Sequence, residues 1–405
     1  MLMSIARVLL AAALLMAPTV ARADAAFGAF LQSLYPEAKA LGVSRATFDN
    51  AIRGLTPDYS LPDLAIPGQP DKAPPGQPEF VQTPAQYLRE SSFTRLAARG
   101  RKLAAQQRDT LARIEREYGV PGNVILAIWA RETDFGGVKL PHDAIRVLAT
   151  QAFVGKRKDM FRDEFLHALK LLQDGTPRAD LRSSWGGAVG LTQFLPSEIY
   201  RHGVDFDGDG RVDLVASVPD ALASAAKQLA NKGWQRGQRW AYEVKAPPTA
   251  DCSIGVPDVT MPLGQWLTRG FALADRRPLS AAEQAIPASL LQPEGSYGPA
   301  FLTPKNYYVI KDYNFSDLYV LFVGHLADRI AGGGGFVTPW SKSAQLKTTE
   351  VEAMQGKLTA LGLYRDKIDG KAGMLTRAAL GAYQKANGLK LDCWPTAAVL
   401  DHMRR

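Results

Sequence analysis

Cysteine is nearly absent from this chain: its 405 residues include two, Cys252 and Cys393. That is far too few for a fold held together mainly by disulfides. Long apolar runs are scarce as well. After residues 8–16 no segment is apolar enough to span a bilayer, which excludes a polytopic membrane protein. There is no long internal repeat, which argues against a solenoid. The chain carries a single low-complexity tract, at Gly332 to Gly335. A globular, multi-domain protein remains, and its length suits two or three domains.

The N-terminus reads as a secretory signal. Arg7 precedes the apolar stretch Val8 to Met16, and Ala21-Arg22-Ala23 is a small-x-small cleavage pattern. Residues 1–23 are therefore expected to be removed. No cysteine lies near that point to carry a lipid, so no stable membrane anchor is expected. An oxidising compartment would permit a bond between Cys252 and Cys393, but two free thiols suit the sequence equally well. Loss of Arg7 and Arg22 lowers the formal charge from +8 to +6. A modest basic excess favours acidic partners. Export excludes nucleic acid as the natural one and leaves an anionic polymer outside the cytoplasm.

Residues 24–54 show helical spacing, with Phe27, Phe30, Leu31 and Leu34 on one stripe. Leu55 to Phe80 is rich in proline and glycine and should be extended loop. Helices are predicted within 83–118, at 124–131, at 158–173 and at 219–232. Residues 241–316 look mixed, with a short strand at Tyr307 to Ile310. Ser316 is an N-cap for a helix through Ile330. Gly332 to Gly335, Pro339, Ser341 and Ser343 make 332–346 a linker by composition.

The chemistry concentrates in two segments. In Val124-Ile-Leu-Ala-Ile-Trp-Ala-Arg-Glu-Thr-Asp-Phe-Gly136, residues Ile125, Ile128, Trp129 and Glu132 recur at i, i+3, i+4 and i+7. Glu132 thus falls on the apolar stripe near the helix end. Desolvation there, with the partial negative charge of the helix C-terminus, would favour its protonated form. A general acid working near neutral pH needs that property. Asp134, two residues on, would face the other way on a continued helix. The second segment is Ser184-Trp-Gly-Gly-Ala-Val-Gly-Leu-Thr-Gln-Phe-Leu-Pro-Ser197. Its glycines permit close backbone approach, and Gln193 can both donate and accept.

Taken together, Glu-Thr-x-x-Gly followed by Ser-Trp-x-Gly-Ala-x-Gly-x-x-Gln-Phe-x-Pro-Ser resembles the membrane-bound lytic transglycosylase B family. Gly119-Val-Pro121, Gln77-Pro-Glu-Phe80 and Tyr313-Asn314-x-Ser316-x-x-Tyr319 extend the resemblance across residues 27–330. It implies a mostly α protein, with a lysozyme-like catalytic core and a small α/β subdomain over 24–331. It implies that Glu132 is both acid and base. Ser184, Gln193, Asn314, Tyr319 and, on a weaker match, Tyr87 are the implied substrate-binding residues. The implied reaction is cleavage of the β-1,4 bond between N-acetylmuramic acid and N-acetylglucosamine in periplasmic peptidoglycan. Glycan strands are the implied partner, and the chemistry takes no cofactor. A hydrolytic muramidase and a non-catalytic wall-binding protein are the alternatives.

Two further features stand beside this core. Asp205-Phe-Asp207-Gly-Asp209-Gly210-Arg211 has carboxylates at alternate positions and glycine at the sixth, the opening of an EF-hand-type loop. Arg211 would offer its backbone carbonyl. The twelfth position is Ala216, so the usual last acid is missing there. In the resembling family that acid comes later, and Asp220 would take its place around a structural calcium ion. Residues 347–405 carry Val351-x-x-Met-Gln355-x-x-Leu-x-x-Leu-Gly362, then Ile368-Asp-Gly370, then Tyr-Gln384. They resemble a three-helix peptidoglycan-binding domain, although Asp392-Cys393 stands where that family often has Asp-Gly. Joined by a flexible tether, such a domain would raise the local substrate concentration.

Overall fold

The computed structural model describes residues 25–66, 82–254, 259–341 and 346–405. The signal segment, the Gln77 to Phe80 motif and part of the linker lie outside the described residues. Helices dominate, and among the described residues none is long and apolar enough to cross a membrane. The chain forms two compact units. One comprises residues up to Pro75 with Glu132–Ala225, the other Gly76–Arg131 with Ala226–Arg405.

The core of the first unit forms around the helix Ala144–Val154. All its residues except Arg146 and Phe153 are buried, as suits a helix with apolar residues on most of its circumference. Asp143 caps it by accepting from the Ile145 amide and is held in turn by Arg178 at 2.8 Å. The predicted helix Lys158–Gln173 lies against it, burying Phe161, Phe165 and Leu169 at intervals of four. Phe27, Leu31, Leu34 and Phe48 from the N-terminal helices join the same core. A two-stranded antiparallel ladder pairs His142–Asp143 with Arg182–Ser183.

In the second unit the helix Glu90–Gln106 packs on Asp317–Ile330 through Phe93 and Phe322, whose rings are 5.1 Å apart. The predicted cap is present: the Ser316 hydroxyl accepts from the Leu318 amide. The mixed region 241–316 forms a five-stranded antiparallel sheet. Its order is Met261–Pro262, Pro287–Leu291, Ala300–Thr303, Tyr242–Lys245, Ala272–Leu273. Residues Tyr307 to Ile310 are not a strand. They belong to the helix Lys305–Lys311, which starts after Pro304 and buries Tyr307, Val309 and Ile310. Aromatic and β-branched residues favour strands, but here tertiary burial along a helical stripe prevails.

The C-terminal module consists of three helices, Thr348–Ala360, Met374–Ala386 and Ala397–Arg404, around Met354, Leu358, Leu380, Tyr383 and Leu400. Two buried glutamines organise it by the same device. Gln355 Oε1 accepts from the Asp369 and Gly370 amides, at 3.0 and 2.8 Å. Gln384 Oε1 accepts from the Asp392 and Cys393 amides, at 3.2 and 2.8 Å. Cys393 therefore occupies the place of a second Gly370. It adopts the same left-handed backbone, with φ of 52° against 70°.

The module is clamped to its unit rather than swinging on a tether. Cys393 is bonded to Cys252. Gly381 makes room for that bond, since a Cβ there would lie 2.4 Å from Cys393 Sγ. Lys385 pairs with Asp251 at 2.7 Å, and Tyr297 donates to Asp392 at 2.7 Å. The glycine-rich connection is itself pinned where it is described. Phe336 stacks on His325 with centroids 3.7 Å apart, and Glu243 accepts from the Val337 and Thr338 amides. Composition suggested freedom, but it carries no information about these long-range contacts.

Candidate active site

The helix Gly122–Thr133 carries the predicted acid in its last turn. Ile125, Ile128 and Trp129 are buried, and Glu132 on the same stripe is half-buried. The boundary between the two units falls between Arg131 and Glu132.

In the first unit the helix ends abruptly. Asp134 and Phe135 both take left-handed backbone, with φ of 47° and 55°, before Gly136. Such residues cost about 1–3 kcal/mol each and persist only when their surroundings enforce them. The sequence placed Asp134 on the far side of a continuing helix. It instead lies beyond the helix end, so the turn and not helical periodicity sets its direction. Thr133 fixes that turn. Its hydroxyl donates to the Leu191 carbonyl at 2.7 Å and accepts from the Gly136 amide at 3.1 Å. This ties the Glu-Thr motif to the Gly-Leu-Thr-Gln motif, and sequence reasoning had assigned Thr133 no part. Its place directly after the acid was the available signal.

Gln193 is the third non-glycine residue in left-handed backbone in these segments, with φ of 56°, and its side-chain Nε2 donates to the Gly190 carbonyl at 3.0 Å. Gly190 has to be glycine: φ is 77°, and a Cβ would lie 2.5 Å from the Leu214 carbonyl oxygen. Ser184 is half-buried in the turn before it, and its amide donates to the Ala188 carbonyl at 3.0 Å. Thr133, Leu140, Arg182, Leu191 and Val215 help to line a cavity of about 560 Å³ in this unit. The motif's final serine also has a partner. The Ser197 amide and hydroxyl both donate to Glu164, at 2.9 and 2.7 Å. Burial nonetheless keeps the Glu164 carboxyl above its ordinary pKa.

The remaining residues predicted for the site belong to the second unit. Tyr87 is buried, and its hydroxyl accepts from Arg131 Nε at 2.7 Å. The same guanidinium lies 5.1 Å from the Tyr87 ring and 5.6 Å from Phe322. The Tyr87 ring is thus committed to Arg131, the neighbour of Glu132, rather than offered as a free aromatic platform. Asn314 accepts from the Ser316 amide at 3.1 Å in the turn before the helix Asp317–Ile330. Tyr319 lies inside that helix at 1 % exposure, its ring parallel to Tyr313.

In the acidic loop, Asp205, Asp207 and Asp209 each bring an oxygen within 4.8 Å of the others. That suits a hard cation with oxygen ligands. Asp220 does not join them. It is wholly buried, with Oδ1 accepting from the Phe206 and Asp207 amides and Oδ2 from the Asp213 amide. Asp220 instead braces the loop from within, and its oxygens lie outside the group formed by the three exposed carboxylates.

The family described as Transglycosylase SLT domain matches residues 26–328, and Putative peptidoglycan binding domain matches 347–403. Membrane-bound lytic murein transglycosylase B of Escherichia coli K12 is 32% identical over 232 residues, 56% of this chain. That match spans 61% of the relative's own length. The crystal structure of SltB3 from Pseudomonas aeruginosa in complex with NAG-anhNAM-pentapeptide superposes with a TM-score of 0.83. It is 36% identical and covers 94% of this chain and 99% of that one. The Escherichia coli lytic transglycosylase Slt35 in complex with calcium has a TM-score of 0.51 and 26% identity, covering 61% of this chain and 77% of that one.

Proposed function

The chain belongs to the SLT-domain transglycosylase family, and from that membership we propose that it cleaves peptidoglycan glycan strands with Glu132 as its single acid and base. The observation that carries this reading is the Thr133–Leu191 hydrogen bond. It locks the end of the Glu132 helix to the loop holding Gln193, and both sides of that junction keep a costly backbone.

The chemistry follows from one carboxyl group used twice. Glu132 donates its proton to the glycosidic oxygen as the bond from that oxygen to C1 of the muramoyl residue breaks. The substrate's N-acetyl oxygen stabilises the positive charge at C1, replacing the second carboxylate that most glycosidases employ. Glu132, now ionised, takes the proton of the C6 hydroxyl, whose oxygen bonds to C1 and closes a 1,6-anhydro ring. No water is consumed. Ser184, Gln193 and Asn314 bind substrate, Tyr319, at 1 % exposure, backs the Asn314 turn through Tyr313 rather than touching the glycan, and Tyr87 acts through Arg131. The anhydro sugar held by the SltB3 relative supports this product. Mass spectrometry of fragments released from purified sacculi tests it. Ends in 1,6-anhydro-muramic acid are expected, and reducing ends one water heavier would make the enzyme a muramidase.

The enzyme acts in the periplasm after export, without a stable membrane anchor, and its C-terminal module binds the wall. Asp205, Asp207, Asp209 and the Arg211 carbonyl hold a structural calcium ion that does not touch the bond being cleaved, a reading supported by the calcium in the Slt35 relative. Returning calcium to chelator-treated protein is expected to raise the melting temperature. The gain is about 2.7 kcal/mol at a hundredfold excess over Kd. An unchanged melting curve would remove the ion from this account.

A further inference from the structure

The turn Asp312 to Ser316, which carries Asn314, is closed by an ion pair across its base. Lys311 Nζ lies 2.5 Å from Asp317 Oδ1, and the Tyr307 hydroxyl donates to the same oxygen at 2.8 Å. The other oxygen, Oδ2, is taken by Arg377 of the C-terminal module at 2.9 Å. Arg377 is itself fixed, since its second terminal nitrogen donates to the Ala372 carbonyl at 2.7 Å. Both partners are nearly dry, with side-chain exposures of 9% for Arg377 and 10% for Asp317. Burial alone would raise the Asp317 pKa, yet Lys311 and Arg377 together hold it well below the usual carboxylate range.

Asp317 is the first residue of its helix, directly after the Ser316 cap, whose amide donates to Asn314. A continuous path of short contacts thus runs from the module to the Asn314 side chain. Phe315, 80 % exposed, lines a cavity of about 500 Å³ together with Ser316, Asp317 and Arg377. The module and the turn therefore share a wall.

We infer that Arg377, although it belongs to the wall-binding module, is a positioning residue for substrate binding, holding the Asn314 turn in place through Asp317. The inference rests on the reading of Asn314 as a substrate-binding residue. Two features separate this role from simple docking. Without Arg377 the turn keeps its Lys311 closure. The module also remains attached through the Cys252–Cys393 bond and the Lys385–Asp251 pair. What is lost is the constraint on where the closed turn stands.

The test uses the full-length, oxidised protein on soluble glycan chains of defined length, comparing Arg377→Ala, Arg377→Lys and Asn314→Ala. For Arg377→Ala, KM should rise roughly 2- to 30-fold, with kcat little changed, as for lost uniform binding. Arg377→Lys should recover part of the loss. Sedimentation with sacculi should stay at the wild-type level, and the Asn314→Ala and Arg377→Ala effects should fall short of additive when combined. If Asn314→Ala raises KM while Arg377→Ala does not, or if lysine restores nothing, the positioning role is refuted. If Asn314→Ala leaves KM unchanged, the substrate-binding reading of the turn fails, and the inference fails with it. Should Arg377→Ala not fold, the lysine variant's KM decides the matter.

Discussion

Replacing Glu132 by glutamine is expected to lower the release of fragments from purified sacculi by about 10²- to 10⁴-fold, the range that a positioned acid–base contributes. The loss should fall on kcat, because glutamine keeps the shape of the side chain but can neither give up nor take the proton. Thermal stability should change little, since the helix Gly122–Thr133 is anchored by Ile125, Ile128 and Trp129 and its end by Thr133. Asp134→Asn, beyond the helix end, serves as the control and should retain most activity. Near-full activity in Glu132→Gln, read as anhydro-muropeptide yield, would move the chemistry to another group.

The second large effect is expected at the disulfide. Cys252 and Cys393 are 141 residues apart in the chain, and a bond closing so long a loop restricts the unfolded state strongly. Its loss should cost about 2–5 kcal/mol. Denaturant unfolding of Cys252→Ser, compared with wild type with and without reductant, measures this. Cys393→Gly should be less damaging than Cys393→Ser. Position 393 has positive φ, where glycine relieves a strain of about 1 kcal/mol that serine would keep. Equal stability with and without the bond would mean that the ion pairs and the packing around Gly381 suffice to hold the module.

Much of this architecture is legible in the amino-acid order because it depends on local periodicity. The helix Lys158–Gln173 follows from Phe161, Phe165 and Leu169, and the start of Asp317–Ile330 follows from Ser316. The helix around Tyr307 was not legible, since its residues individually prefer strands and only burial reverses that preference. The clamp between module and catalytic region could not be read either. Asp317 and Arg377, like Cys252 and Cys393, are distant in sequence, and no periodicity connects them. In the candidate site, residue types pointed to Glu132, Ser184 and Gln193. The left-handed backbone at Gln193 did not announce itself, because nothing about a glutamine signals positive φ. For Asp220 the residue was legible and its hydrogen bonds were not: it accepts from three backbone amides, and no periodicity pairs it with them.

That use of Asp220 bears on the order of events were the loop to meet a cation. The amides of Phe206, Asp207 and Asp213 are gathered by a carboxylate that folds in with the helix Val218–Asn231. The loop's shape is thus inherited from the polypeptide and does not wait for a metal. A cation arriving at Asp205, Asp207 and Asp209 would enter a prearranged cradle, and its main work would be to neutralise three crowded negative charges. A calcium-poor medium would then leave the protein folded but less robust, unlike small metal-dependent domains that collapse without their ion.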